Sequence, residues 1–385
     1  MIPYGRQNIT QEDIDSVINV LQGDFLTQGP AVPAFEKSLC DITTAHYAIA
    51  TTNATSALHL ACLALNVGPS SRVWTSTISF VASANCARYC GANIDFIDVD
   101  ANSGNMSITS LKEKLADAKI NSTLPNVVIP VHLAGTSCDM QQIHALSLEY
   151  NFAIIEDASH AVGGLFQGKM IGSCQYSDIT VFSFHPVKII TTAEGGMALT
   201  NKNDLAEKMQ HLRSHGVTRD EQLMTEDSHG AWYYQQLSLG FNYRMTDMQA
   251  ALGISQSKRL TEIINKRRSI AQNYHRLLSE LEIDLPSLAT MGKDDSAWHL
   301  FIIRLKDQSK RAMVFNKLRK AEIWVNVHYI PIHTQPYYQE LGFNWGDYPQ
   351  AEDFYSRIIS LPMYPELTLI QQEFIAEVLR EALLN

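Results

Sequence analysis

No cysteine follows Cys174, and the six present (Cys40, Cys62, Cys86, Cys90, Cys138 and Cys174) form no CxxC pair. That excludes a zinc ribbon and a dithiol redox motif. Six cysteines in 385 residues are too few for a disulfide framework. They read as small core residues in a reducing compartment. No run of about 18 apolar residues occurs, so no membrane-spanning helix is expected. Residues 1–10 are polar with no apolar stretch behind them, so no signal peptide is expected and the protein is predicted to be cytoplasmic. Basic residues number 30 against 40 acidic, a net charge of −10. A non-specific nucleic-acid binder would carry the opposite balance. Repeats and low-complexity tracts are absent, and 45% hydrophobic content with 20 Gly and 13 Pro excludes a disordered or collagen-like chain.

What is present is alternation. Apolar runs at 47–51, 72–75, 94–98, 126–131, 152–156 and 178–184 read as buried strands. Helical patterns lie between them: 54–66 puts Leu58, Cys62 and Leu65 on one face, and 139–150 opens on a cap-like Asp139. This predicts an α/β domain with a mostly parallel sheet flanked by helices. Gly196–Thr200 reads as one more strand, at an edge or reversed. Thr246 with Gln249 forms a capping box that opens a helical region to about residue 281. A strand at 298–305, a helix at 308–321, a strand at 323–327 and helices at 348–358 and 368–384 follow. The expected division is a large domain, 1–250, and a smaller α+β domain, 251–385.

Three strand ends carry candidate chemistry. Thr52-Asn53-Ala54-Thr55-Ser56 follows a strand and opens a helix. Free amides, the helix dipole and the Thr55 and Ser56 hydroxyls suit an anion there, although a plain N-cap has the same pattern. Ile154-Ile155-Glu156-Asp157 turns abruptly acidic where ligands of open α/β sheets gather; a helix cap is the alternative. Ser183-Phe184-His185-Pro186-Val187-Lys188 leads a strand into a lysine. A lysine beside a buried strand can lose basicity and act as a nucleophile, although most lysines are solvated charges. A phosphate cradle, a carboxylate and a lysine at the ends of one sheet match what pyridoxal phosphate requires. Gly163 with Gly168-Lys169 imitates a phosphate loop, but Met170 replaces the Ser or Thr that would bind magnesium, so a turn or hairpin is expected. His328 and His333 have no third ligand at a metal spacing, so no metal is expected.

In this order the motifs resemble the DegT-type sugar-nucleotide aminotransferases, which have the fold-type I aminotransferase architecture. The resemblance rests on Leu26-Thr27-Gln28-Gly29, Asn53-Ala54-Thr55-Ser56-Ala57-Leu58, Ser79-Phe80-Val81-Ala82, Glu156-Asp157-Ala158-Ser159-His160-Ala161 and Ser183-Phe184-His185-Pro186-Val187-Lys188. It continues through Thr192-Ala193-Glu194-Gly195-Gly196, Arg213-Ser214-His215-Gly216, Gly240-Phe241-Asn242-Tyr243-Arg244-Met245 and Val327-His328-Tyr329.

The resemblance implies pyridoxal 5'-phosphate as cofactor, bound to Lys188 through a Schiff base. It implies Asp157 on the pyridine nitrogen, Phe80 on the ring face, His160 near the ring hydroxyl, and Thr55, Ser56 and Ser183 on the phosphate. It implies Asn242 reaching across from a second subunit, hence a homodimer. Leu26, Thr27, Arg213, His215, Tyr243, Arg244, His328 and Tyr329 become candidate substrate contacts. The Ser-Phe-His-x-x-Lys form and Ile2-Pro3-Tyr4-Gly5-Arg6-Gln7 resemble the branch that makes UDP-4-amino-4,6-dideoxy-N-acetyl-β-L-altrosamine for pseudaminic acid, with L-glutamate as amino donor and a UDP-linked 4-keto sugar as acceptor. A transaminase or dehydratase for another keto-sugar, and a non-catalytic regulator, are the alternatives. Lys188 stands where the dehydratases hold His, which favours transamination. The stretch 218–238 has no motif to carry over and reads as a lid, an interface loop or a solvated connection.

Overall fold

The computed structural model describes residues 1–288 and 295–384. The apolar runs of the first 200 residues form one seven-stranded sheet. Its strands are β1 (Tyr47–Thr51), β2 (Arg72–Ser76), β3 (Asn93–Ile97), β4 (Val127–Ile129), β5 (Ala153–Asp157), β6 (Ile179–Ser183) and β7 (Gly196–Thr200). Their order is β1-β7-β6-β5-β4-β2-β3. From β3 to β6 all pairs are parallel, while β7 is antiparallel to both β6 and β1. β6 and β7 are buried at every position, so neither alternates apolar with charged residues.

β7 is reversed, as one of the two expectations had it, but it lies inside the sheet; the edges are β1 and β3. Reversal has a consequence for chemistry. Gly196 begins β7 at the end where the parallel strands finish. A Cβ on Gly196 would lie 2.5 Å from the Asn53 carbonyl and the Ala54 amide, so only glycine lets β7 pass beneath that turn.

The helix Ala54–Ala64 is buried almost all round, consistent with its mostly apolar sequence. The capping box at Thr246 and Gln249 forms, but the helix it opens ends at Lys258, and a second helix, Leu260–Leu278, starts after Arg259. Leu260, Ile263 and Ile264 pack into the core beneath the sheet. Ile270, Ala271, Tyr274 and Leu278 of the same helix enter a second core. That core also holds Phe301, Ile359 and Leu379, together with Ile2 from the other end of the chain. Burying each large apolar side chain contributes roughly 1.5–3 kcal/mol.

The second unit has an antiparallel sheet of β8 (Ile283–Asp284), β9 (Phe301–Leu305) and β10 (Ile358–Leu361). The strand expected at 323–327 does not form. Ile323 and Val325 alternate inward, but their neighbours offer only single bridges, Ile2 to Ile323 and Asn326 to Ser360. The Gly163 segment folds as a hairpin, Leu165–Phe166 against Lys169–Met170. Gln167 and Gly168 turn it with φ of 49° and 74°, as a two-residue hairpin loop requires. No helix among the described residues is long and apolar enough to cross a membrane.

Candidate active site

The loops that leave β1, β2, β5 and β6, and the one that enters β7, meet at one end of the sheet. They enclose a cavity of about 510 Å³, the size of a cofactor site. Thr55, Phe80, Asp157, His160, Ser183, Lys188, His328 and Tyr329 all line it, so eight of the expected site residues come together.

The anion end is built by Asn53. Its carbonyl accepts the first ladder bond from Ala57 at 3.2 Å, and its side chain accepts from the Ser56 amide at 2.8 Å. The Ala54 and Thr55 amides precede that ladder and lie at the cavity with Ser183. Ser56 is buried, is not on the cavity wall, and its amide is already used.

Asp157 ends β5 with 5% exposure. The Ser83 hydroxyl donates to its Oδ2 at 2.6 Å and the Ser159 amide to its Oδ1 at 3.1 Å. It forms no ion pair among the described residues. Its neighbour Glu156 faces the other side of the sheet, where His132 lies 2.8 Å away and Thr180 donates at 3.0 Å. The Cys138 amide donates to His132 Nδ1 at 3.2 Å, so His132 offers its Nε2 proton to Glu156. Asp157 alone of the two carboxylates faces the cavity.

Lys188 follows a tight turn in which its amide donates to the His185 carbonyl at 2.9 Å. Its Nζ makes no hydrogen bond or ion pair among the described residues. Burial pulls its ammonium down to about 8, partly opposed by the Asp157 carboxylate. An amine of that basicity is substantially neutral near pH 8 and therefore nucleophilic. His328 donates or accepts through Nδ1 with Ser360 Oγ at 2.8 Å, and burial, then Lys188, lowers it to about 3. Phe80 is 59% exposed at the rim, with its ring centroid 6.3 Å from that of Tyr329.

The remaining candidates lie elsewhere. Arg213 is engaged by Glu36 at 2.5 Å and by the Ala50 carbonyl at 2.8 Å. Glu36 also accepts from the Ala50 amide at 2.8 Å, so the pair ties the helix Ala31–Thr43 to β1. Tyr243 stacks on Phe241 at 4.8 Å, and its hydroxyl meets His59 Nδ1 at 3.2 Å. Asn242 and His215 are exposed. Asn242 bridges Ser214, Arg244 bridges Thr51, and Thr27, next to Leu26, bridges Thr246, so these residues share one ribbon outside their own chain's cavity. Residues 218–238 hold a small hairpin and expose Trp232 and Tyr234.

The structure adds wall residues that sequence reasoning did not single out: Tyr4, His185, Glu194 and His299. His299 is buried, lies 4.4 Å from His160 ring to ring, and has an unpartnered Nδ1. Its only signal in the sequence is a histidine after Trp298 at the head of an apolar strand. No group of three or more His, Cys, Asp or Glu among the described residues is placed to hold a metal.

An uncommitted amine of lowered basicity, a buried carboxylate lacking a cation and free helix amides fit pyridoxal phosphate: aldehyde, ring nitrogen and phosphate each find a complementary group. Sheet and site together define a fold-type I, pyridoxal-phosphate-dependent aminotransferase. The chain belongs to the DegT/DnrJ/EryC1/StrS aminotransferase family, whose model matches residues 7–380. It is a sugar transaminase of that family. It is 36% identical over 384 residues to the UDP-4-amino-4,6-dideoxy-N-acetyl-beta-L-altrosamine transaminase of Campylobacter jejuni, covering 98% of this chain and 96% of that one. The solved structure of Helicobacter pylori PseC, an aminotransferase of pseudoaminic acid biosynthesis, superposes with a TM-score of 0.89 at 32% identity, covering 99% of each chain. The PLP form of the putative sugar aminotransferase Spr1654 from Streptococcus pneumoniae gives 0.89 at 28% identity, covering 99% of this chain and 98% of that one.

Proposed function

We propose that this chain moves the amino group of L-glutamate to the C4 ketone of a UDP-4-keto-6-deoxy-N-acetylhexosamine, giving UDP-4-amino-4,6-dideoxy-N-acetyl-β-L-altrosamine for pseudaminic acid biosynthesis. The observation that carries the reading is the free Lys188 amine sharing one cavity with the cation-free Asp157 carboxylate, in a chain 36% identical to altrosamine transaminases. Pyridoxal phosphate supplies, when bound, an electron sink for the bond that loses its proton.

Lys188 would hold the cofactor through its neutral amine and would serve as the acid–base group beside the substrate carbon. Asp157, steadied by Ser83, keeps the pyridine nitrogen protonated. The Thr55 and Ser183 hydroxyls and the Ala54 and Thr55 amides would take the phosphate; Ser56 is left out of that set, because it is buried off the cavity wall. Phe80 covers the ring face, and His160 and Tyr329 serve the side bearing the ring hydroxyl. Asn242 and its ribbon neighbours Leu26, Thr27, His215, Tyr243 and Arg244 complete the site of a second copy, which makes the working unit a cytoplasmic homodimer with two shared sites. His328 and Tyr329 meet the sugar. Arg213 is left out of the contact set, because Glu36 already holds it.

The test is amino transfer from ¹⁵N-labelled L-glutamate to the UDP-4-keto sugar. The expected product carries the label at C4 in the altro configuration, read by mass spectrometry and NMR. A labelled product of another configuration would overturn the sugar assignment, and no label in any keto-sugar would overturn the reaction.

A further inference from the structure

We propose that Tyr329 is a one-way hydrogen-bond donor to a ligand oxygen in the cavity, with His160 as the positioning residue that fixes its direction. This rests on the cofactor reading of the cavity given above.

His160 is buried and both ring nitrogens are engaged. The Ala134 amide nitrogen lies 3.3 Å from Nδ1, and the Tyr329 hydroxyl 3.0 Å from Nε2. A backbone amide can only donate. Nδ1 is therefore the bare nitrogen, and Nε2 carries the proton. That proton goes to the Tyr329 oxygen, so the phenol's own proton points elsewhere. Tyr329 lines the cavity, and its hydroxyl has no other polar partner among the described residues. The cavity is the direction left.

The opposite arrangement needs a proton on Nδ1, facing the Ala134 N–H. An imidazolium meets the same conflict. Burial, then the charge of Lys188, holds His160 well below the ordinary histidine range, so it stays neutral. Burial raises the Tyr329 phenol, so it keeps its proton. Asp157, Tyr4, His132, His328 and His299 are the other titratable groups near this pair, and none bonds to the hydroxyl.

The direction originates in the backbone. Ala134 sits at φ 59°, and its carbonyl accepts from the His299 amide at 2.9 Å. Gly135 beside it has φ 101°, and a Cβ there would lie 2.9 Å from the His160 carbonyl. Close packing and the His299 bond thus hold the Ala134 amide on His160. A hydroxyl that can only donate selects an acceptor oxygen, either the anionic ring oxygen of the cofactor or an oxygen of the sugar.

The test uses the loaded full-length enzyme and the variants Tyr329→Phe, His160→Gln and His160→Leu, each checked for native thermal unfolding. Glutamine can accept from Ala134 through oxygen and donate to Tyr329 through nitrogen, so it preserves the direction; leucine cannot. If the acceptor is the cofactor oxygen, the pH midpoint of the visible band, without sugar, rises by about one unit in Tyr329→Phe. If it is a sugar oxygen, that midpoint stays and KM for the nucleotide sugar rises about tenfold. In either arm His160→Leu moves in the same direction and His160→Gln restores the wild-type value. Unchanged midpoint and KM in Tyr329→Phe, or glutamine behaving as leucine, would overturn the proposal. So would a proton on His160 Nδ1 in ¹⁵N NMR of the unloaded protein. Failure of the wild type to take up cofactor would instead undo the functional reading, and the NMR result would still decide this one.

Discussion

Ser83 donates to Asp157 at 2.6 Å, and Ser79 lies 2.7 Å from Ser83, so the loop and helix after β2 steady the carboxylate that ends β5. Ser83→Ala removes one donor from a buried carboxylate. We expect a loss of about 1–3 kcal/mol in the unloaded protein, measured by urea unfolding. Asp157→Asn leaves the volume but abolishes the charge proposed to hold the ring nitrogen protonated; turnover should fall at least about a hundredfold.

Lys188 should show its lowered basicity in cofactor uptake. The neutral amine is the reacting form, and its fraction rises with pH through about 8. The rate at which stripped enzyme regains the visible band should therefore climb with a midpoint near that value, about two units below a free lysine. Lys188→Arg, always charged, should never regain it.

His328 predicts the direction of acid sensitivity. Its unfolded imidazole takes a proton below about 6.5, whereas the folded one waits until about 3. In that window the unfolded state binds more protons, so stability is lost as the pH is lowered, by about 1.4 kcal/mol per unit for this group once fully titrating. His160 and His299 are lowered in the same direction. Urea midpoints at pH 6 and 5 should decline, and less steeply in His328→Gln.

Glu36 and Arg213 test structure against substrate binding. Both side chains are 16% exposed. Glu36→Ala strands the guanidinium and the Ala50 amide and should cost about 3–5 kcal/mol. An Arg213→Met variant should lose stability while keeping KM for the nucleotide sugar within about twofold.

Asn242 carries the shared-site claim. Lys188→Ala and Asn242→Ala homodimers should each be nearly inactive. Mixed in equal amounts and allowed to exchange, they should regain about a quarter of wild-type activity, because half the dimers then hold one intact site. No recovery despite exchange, shown by mass spectrometry, would place Asn242 in its own chain's site.

Lys188, Asp157, Thr55 and Ser183 were legible because each lies at or just beyond the end of an apolar run, and strand ends of a parallel sheet share one edge. The interior place of β7 was not, since five buried positions look alike whichever strands flank them. Arg213 matched a motif, yet its partner Glu36 stands 177 residues away, beyond any local pattern. His299 went unnoticed because one histidine ahead of an apolar strand has no spacing to mark it. The break at Arg259 was hidden because helical periodicity runs across it.

The most direct measurement is the visible spectrum of the purified protein before and after L-glutamate, beside Lys188→Ala. We expect a Schiff-base band that glutamate converts to the amine form in the wild type and that the variant lacks. A wild-type band that glutamate leaves unchanged, or a variant that keeps wild-type turnover, would contradict the account.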